Sequence, residues 1–472
     1  MGIRIHGFYQ LLLAAIRIIR KEGWRAFWRR ARSYCAQQSK GGRLEVKPLK
    51  IMPMDSKKPT AVINKKVSIV IPTKNAGNDF VFTLEKIRGQ IGIREIELII
   101  VDSGSTDDTI KLAKDYGALV YTVKSTEFNH GLTRNYGADQ SSGDYVLFMV
   151  QDAIPINAHW LFDMVNVLES NKGIVAVTCR QVLRSDADLF ARYLLWTYYR
   201  TIEFLRDEVR MTKSKFDDLP PTEKRRLCGL EDVCCLIRKD VFDKFKFKSI
   251  QYAEDLELGL RLQRNGYKIA FLYSVGVVHS HNRSASYYLK RSYVDSKSLP
   301  EILAYEPQYQ YRDIHNIDDL INCIMTLYAA LDMSVPSLKP FNENACNVIS
   351  RLKALLQNNI KNNTIALKNY ERSGKYLDEL FDELRKIGAT TGNPESNDLI
   401  NESYFAALND FSVYVAQNNT VKNKKNEFID ALYKILAIVA GYAIANYYLF
   451  KFKQGEMNEA LAAVDKILSM GV

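Results

Sequence analysis

The 472-residue chain lacks the short glycine motifs that hold nucleotides in two large groups of enzymes. It has neither a GxGxxG nor a GxxxxGK[ST] segment, which excludes a dinucleotide site of the usual kind and a P-loop. Its seven cysteines are few and odd in number, and the adjacent Cys234 and Cys235 have poor spacing for zinc. Reduced thiols in the cytosol are therefore expected. Residues 435–450 are uncharged, but sixteen residues are fewer than the roughly twenty of a membrane span.

Positive charge is concentrated at the start of the chain. Residues 1–66 contain sixteen Lys or Arg and three Asp or Glu, a balance of +13 within a total of +11. The remainder, at −2, has no basic surplus, which argues against nucleic-acid binding by the folded body. The apolar run near the start is followed by arginines, so no secretory signal peptide is expected. These features predict a cytoplasmic protein, peripheral at the inner face of the cell membrane.

Residues 8–32 can form a helix with one apolar face and one basic face. Tryptophans at the border between the faces are typical of an interfacial helix on an anionic membrane surface. A helix packed on the folded body, with its basic face in water, is the alternative. We predict a basic amphipathic helix over 1–40 and a linker over 41–66. The apolar face would carry Tyr9, Leu12, Ile16, Ile19 and Phe27, and the basic face Arg17, Lys21, Arg25, Arg29 and Arg32.

From residue 67 onward, short apolar runs alternate with helical segments. Such alternation predicts an α/β domain with a mostly parallel, doubly wound sheet. In these sheets the ligand lies beyond the carboxyl ends of the strands. The predicted strands are 67–72, 96–102, 118–123, 145–150 and 174–178, and the predicted helices are 80–90, 106–116, 132–140 and 158–170. Residues 189–228 are predicted to form a helical, charge-rich insertion.

Polar residues follow three of the predicted strands. Thr73–Gly77 follows the first strand and Asp102–Thr109 the second, where Asp102 can accept hydrogen bonds from a sugar hydroxyl or a base. Asp152 follows the strand 145–150, where a carboxylate is costly unless it has a partner or a task. Capping of a helix that begins near Asn157 is the alternative role for Asp152.

Four ordered blocks of sequence resemble glycosyltransferase family 2. They are VSIVIPTKNAG (67–77), ELIIVDSGSTDDT (97–109), EFNHGLTRNYGADQSSGDYVLFMVQDAIP (127–155) and YAEDLELGLRLQRNGYKIAFL (252–272). The third block is similar to the bacterial rhamnosyltransferase-like branch of that family. The resemblance implies a GT-A fold, Rossmann-like with a mostly parallel sheet, over 67–310. It also implies sugar transfer from a nucleotide-sugar donor with inversion at the anomeric carbon.

The resemblance also implies residue roles at the donor site. Asp152 matches the last carboxylate of the D-x-D motif, whose first position is here Gln151. With His279 after the last strand, Asp152 would hold Mg²⁺ or Mn²⁺, although a hydrogen-bonded loop histidine is the alternative for His279. Arg134 would lie near phosphate. The residues expected to bind the donor are Thr73, Asn75, Asp102, Ser105, His130, Gly131, Arg134, Asn135 and Gln151.

The pair Glu254-Asp255 matches the family's catalytic motif. Asp255 would accept the proton of the acceptor hydroxyl, and Glu254 would orient the base or the acceptor. Two acidic residues that only stabilise a helix start are the alternative. The preceding pair, Glu231-Asp232, stands where the family more usually has smaller polar residues.

After about residue 310 the resemblance ends, and 311–472 is predicted to be an all-helical domain of unknown role. A buried helix is the first interpretation of 435–450, and an interfacial or re-entrant segment is the second. Three functional hypotheses remain. The first is an inverting glycosyltransferase that transfers a sugar, such as rhamnose, to a glycan or lipid-linked acceptor in surface polysaccharide synthesis. The others are a nucleotidyltransferase and a non-catalytic membrane-associated scaffold.

Overall fold

The computed structural model describes residues 47–48, 59–212, 215–307, 309–311, 314–338, 345–361, 398–418 and 425–470. The predicted helix over 1–40 and most of the linker over 41–66 lie outside the described residues. The chain divides into two compact units. Among the described residues, those between 47 and 186 and between 199 and 280 form the sheet unit, and those between 187 and 198 and between 281 and 470 form the helical unit.

The strands follow the predicted order, with additions. They are β1 Lys47–Pro48, β2 Ile63–Thr73, β3 Ile93–Asp102, β4 Leu119–Thr122, β5 Tyr145–Met149, β6 Ile154–Pro155, β7 Ile174–Val182, β8 Glu208–Arg210, β9 Cys234–Arg238 and β10 Lys268–Val278. Strand β8 lies within 189–228, which the sequence predicted to be helical. That prediction is wrong for these three residues, because their charged side chains find buried partners elsewhere in the chain.

Fourteen α-helices lie within the described residues. They are α1 Phe80–Arg88, α2 Thr109–Asp115, α3 His130–Asp139, α4 Trp160–Ser170, α5 Leu189–Ile202, α6 Pro221–Cys228, α7 Lys239–Phe245, α8 Glu254–Arg264, α9 Ala285–Ile302, α10 Ile317–Ser334, α11 Ala345–Lys361, α12 Asp398–Asn418, α13 Lys425–Gln454 and α14 Glu459–Ser469.

The sheet has the order β1-β8-β10-β7-β9-β5-β2-β3-β4, with β6 paired to β10. The predicted α/β sheet is confirmed, and β5, β2, β3 and β4 are parallel neighbours. The sheet as a whole is mixed, because β9 runs antiparallel to both β5 and β7. Strand residues such as Ile69, Val70 and Ile71 are fully buried. Burial on both faces explains why these strands read as continuous apolar runs.

The helical unit has an apolar core of its own, through which α13 passes. Two of its helices, Ile317–Ser337 and Lys425–Gln454, are long and apolar enough to cross a membrane. In α13, however, 94% of the apolar window is buried within the protein. Gly441 lies against α9, where an added Cβ would come within 2.2 Å of the Leu289 carbonyl oxygen. The burial agrees with the first interpretation of 435–450, a buried core helix.

Candidate functional site

The loops that follow β2 and β3 are joined through Asp102. This carboxylate is buried, and its Oδ2 accepts hydrogen bonds from the hydroxyls of Thr73 and Ser105. Its Oδ1 accepts the backbone N–H groups of Gly104 and Ser105, at 3.0 and 2.8 Å. In the structure, therefore, three predicted donor-site residues contact one another, and Asp102 orders both loops. A role for Asp102 in reading the nucleotide stays a prediction.

Asn75 and Gln151 lie on the exposed side of the same sheet edge. Asn75 has a left-handed backbone (φ 46°), which asparagine tolerates better than most residues. Its Oδ1 accepts the backbone N–H of Thr106 at 2.8 Å, which fixes the side chain of Asn75. The Gln151 side chain contacts the backbone of Lys74 on both sides, through the N–H and the C=O.

Helix α3 lies against the segment that leads to Glu254 and Asp255. The Asn135 side chain accepts the N–H of Phe247 and donates to its carbonyl oxygen, at 3.0 and 2.8 Å. Gly131 faces the same segment, and an added Cβ would come within 2.9 Å of the Lys248 carbonyl oxygen. Glycine is therefore required at 131 by close packing. His130 is exposed and packs edge-on against Phe128.

Arg134 is buried between two carboxylates. Its guanidinium contacts Glu254 at 3.0 Å and Asp232 at 3.0 Å, and only 4% of its side chain is exposed. Asp232 also donates its backbone N–H to Asp255, at 3.4 Å. One arginine and three carboxyl groups thus form a single cluster. In the sequence, Asp232 stands out only because the family usually has a smaller polar residue there. It is separated from Arg134 by 98 positions, so the sequence does not predict their contact.

Burial raises the pKa values of all three carboxyl groups in this cluster. The pKa of Asp232 rises from 3.8 to about 6, because burial and the neighbouring Glu254 outweigh the attraction of Arg134. Burial also raises the pKa of Glu254, against the attraction of Arg134. For Asp255, burial and the charge of Asp232 both raise the pKa. Raised pKa values bring carboxyl groups closer to the range in which they exchange protons near neutral pH.

Asp152 and His279, the predicted metal ligands, lie side by side. The Nε2 of His279 is 3.8 Å from Oδ1 of Asp152. The other ring nitrogen of His279, Nδ1, is 2.9 Å from Oε1 of Gln181, and Gln181 in turn donates to Glu231 at 3.1 Å. A hydrogen bond from Nδ1–H leaves Nε2 as a lone-pair donor, the arrangement that metal-binding histidines commonly have. Gln181 could not be predicted from the sequence, because no motif includes it.

Asp152 does not cap a helix, whereas Glu254 and Asp255 lie in the first turn of one. Helix α4 begins at Trp160, and Asn157 accepts the N–H of His159, so Asp152 does not cap that helix. Helix α8 begins at Glu254 after Ala253, and the Asp255 carboxylate accepts the adjacent N–H of Leu256.

Comparison with known proteins identifies the relatives of the chain. The model of the family "Glycosyl transferase family 2" matches residues 68–245. The O-antigen chain rhamnosyltransferase RfbN of Salmonella typhimurium is 30% identical over 222 residues, which are 46% of this chain and 67% of RfbN. The O-antigen chain rhamnosyltransferase WbaN of Salmonella anatum is 30% identical over 223 residues, 46% of this chain and 66% of WbaN. The chain thus spans about two thirds of these relatives.

A solved structure of similar shape is a mannosyltransferase from Pyrobaculum calidifontis in complex with GDP-Man and Mn²⁺. It is 14% identical, with a TM-score of 0.43 over 89% of this chain and 98% of that one. The sequence matches carry the assignment, and the family model covers the loops after β2, β3 and β5. The chain belongs to glycosyltransferase family 2 and is a glycosyltransferase.

Proposed function

We propose that this glycosyltransferase moves a sugar, with rhamnose as the first candidate, from a nucleotide-sugar donor to a hydroxyl of a glycan or lipid-linked acceptor, with inversion, in surface polysaccharide synthesis. The named activity of RfbN and WbaN supports the choice of sugar and of pathway class. Membership of the family favours this hypothesis over a nucleotidyltransferase and over a non-catalytic scaffold.

The observation that carries the proposal is the meeting of both acidic motifs at one edge of the sheet. Met149, at the end of β5, pairs with Cys234, at the start of β9. Asp152 follows the first of these residues, and Asp232 precedes the second. A path of contacts leads from Asp152 through His279 and Gln181 to Glu231, which directly precedes Asp232 of the carboxyl cluster. Such an edge can hold a donor diphosphate at one end and an acceptor hydroxyl at the other.

Asp152 and His279 fit a divalent cation. A carboxylate oxygen and an imidazole nitrogen suit Mn²⁺, and Mg²⁺ accepts one carboxylate with water and phosphate oxygens. The 3.8 Å between the two atoms is within the span of two ligands on one ion with bonds of about 2.1 Å. His281 lies two positions after His279 in the sequence, and we propose it as a further ligand. The cation would offset the charge that develops on the leaving diphosphate.

Asp255 is the residue that we propose as the general base. In a direct displacement the acceptor oxygen forms the new bond to the anomeric carbon while the bond to the diphosphate breaks. The hydroxyl proton then passes to the Asp255 carboxylate. Glu254 is held by Arg134 and would orient the base or the acceptor. We also propose, from the basic leader alone, that the 1–40 helix binds the anionic inner face of the cell membrane.

The test is a screen of UDP-, GDP- and dTDP-sugars with the full chain, with and without Mg²⁺ or Mn²⁺. Binding of the correct donor should raise the melting temperature by mass action. Transfer to a lipid-linked acceptor should give a product whose anomeric configuration, measured by NMR, is opposite to that of the donor. A product with retained configuration, or stabilisation by no nucleotide sugar, would contradict the proposal.

A further inference from the structure

The loop that follows β2 is held by side chains at every one of its backbone N–H groups from 74 to 77. Such consecutive N–H groups often bind phosphate, but here each donates to a side chain from another loop instead. The acceptors lie 2.8 to 3.0 Å away. They are Gln151 for Lys74, Ser105 for Asn75, Thr109 for Ala76 and Asp107 for Gly77.

Gln151 differs from the other three acceptors in origin and in chemistry. The others follow β3, whereas Gln151 follows β5 and directly precedes the proposed metal ligand Asp152. Its Oε1 accepts the Lys74 N–H at 2.9 Å, and its Nε2 donates to the Lys74 carbonyl oxygen at 3.3 Å. A side-chain amide can accept and donate in this way, whereas an ionised carboxylate has no N–H and would repel the carbonyl.

We propose that Gln151 is a positioning residue, which fixes the donor-site loop relative to the metal-site carboxylate and is not itself a ligand of nucleotide or metal. The amide occupies the position of the first aspartate in the family motif, and both of its polar atoms face Lys74. Its contacts fix the residue next to Asn75, which has a left-handed backbone. The inference rests on the proposed function, because it assumes that this edge of the sheet binds the donor.

The first experiment follows hydrogen exchange of the amides 74–77 in the full chain, in wild type and Gln151→Ala. Loss of the two hydrogen bonds between Gln151 and Lys74 should speed exchange at Lys74 and Asn75 at least tenfold, because this loop could then open without the rest of the sheet unfolding. Gln140→Ala is the matched control, because Gln140 is exposed at the end of α3, and it should leave this exchange unchanged. Unchanged exchange in Gln151→Ala would overturn the proposal.

The second experiment separates positioning from ligation by Mn²⁺ titration and by binding of UDP, GDP and dTDP. Gln151→Asp restores the acidic motif but is one methylene shorter and cannot donate to the Lys74 carbonyl. We expect it to bind Mn²⁺ with wild-type affinity. The nucleotide that wild type prefers should bind about tenfold more weakly, the usual effect of losing one or two hydrogen bonds. Gln151→Glu keeps the length and one acceptor and should recover part of this loss.

Tighter Mn²⁺ binding by Gln151→Asp would overturn the proposal, because it would make position 151 a ligand site. In the transfer assay the donor KM should rise in Gln151→Ala while kcat falls less, as expected for a loop that positions the donor. If wild type bound none of the three nucleotides, the proposed function would fail. Hydrogen exchange and Mn²⁺ titration would still test the positioning role of Gln151 independently of nucleotide binding.

Discussion

Replacing Asp232 by asparagine should make the protein more stable at pH 8 and should change its stability little at pH 4. Asparagine keeps the shape and the hydrogen bonding of a protonated aspartic acid and removes the charge. The Asp232 carboxyl lies beside Arg134 and Glu254, and its side chain is only 17% exposed. The stability of the Asp232→Asn variant therefore shows whether the cost of burying the carboxylate is larger than its attraction to Arg134.

The magnitude follows from the pKa of Asp232, which rises from 3.8 to about 6 on folding. Because the folded state binds its proton more tightly, the stabilisation due to that proton is fully present below pH 4. It is lost as the pH rises through about 6. A shift of about two units, at about 1.4 kcal/mol per unit, makes ionised Asp232 cost the fold at most about 3 kcal/mol at pH 8. The asparagine variant would avoid this cost.

Urea denaturation of the full chain, followed by tryptophan fluorescence at pH 4.5, 6 and 8, measures the effect. Asp139→Asn is the control, since Asp139 is 46% exposed in an ion pair with Lys246 and such pairs contribute little. The free-energy difference between Asp232→Asn and wild type should grow in favour of the variant from pH 4.5 to pH 8. A variant less stable than wild type at pH 8 would show that attraction to Arg134 outweighs burial, and would refute the reasoning.

Four further predictions concern other parts of the chain. Asp255→Asn should lower turnover about a hundredfold or more with nearly unchanged affinity for the nucleoside diphosphate, which calorimetry and a transfer assay measure separately; near wild-type turnover would assign the base elsewhere. Asp152→Asn should weaken Mn²⁺ binding in titration, and an unchanged titration would remove Asp152 from the metal site. Gly131→Ala should destabilise the fold by about 1–3 kcal/mol in urea, because its Cβ meets backbone at 2.9 Å; an equal midpoint would show that the segment yields freely. Deletion of 1–40 should abolish sedimentation with anionic vesicles in a salt-dependent way, and equal sedimentation would refute the membrane proposal.

The parallel half of the sheet could be predicted because its strands are buried on both faces. Ile69, Leu98 and Leu147 lie in uninterrupted apolar runs, and each run ends where a polar loop begins. Strand β8 could not be predicted, because its residues look like a surface segment. Glu208 is nevertheless fully buried against Arg226, and Arg210 is buried with its guanidinium donating to the Arg226 and Gly229 carbonyl oxygens. Only the fold brings these partners together.

The same limit applies to the candidate site: the sequence indicates which types of residue are functional, but it does not indicate which of them contact one another. Motif position pointed to Asp152, His279 and Asp255, and at Asp152 a carboxylate that follows a buried strand is also costly without a partner or a task. The contacts of Arg134 and of Gln181 depend on strands and helices that are distant in sequence. Sequence spacing carries no information on such pairs, and the structure alone brings Arg134 to Asp232.

The position of Arg134 bears on the need for a metal ion. The resemblance places this arginine near phosphate, yet its guanidinium lies between Asp232 and Glu254, which offset its charge. The diphosphate of a donor would then depend on a cation held by Asp152 and His279. Chelation by EDTA should therefore weaken binding of the nucleoside diphosphate, measured by calorimetry, about a hundredfold or more. Binding of the unphosphorylated nucleoside should change little, because it carries no charge to offset. Equal diphosphate affinity with and without EDTA would mean that side-chain cations suffice, with Arg134 leaving its carboxylates to bind phosphate.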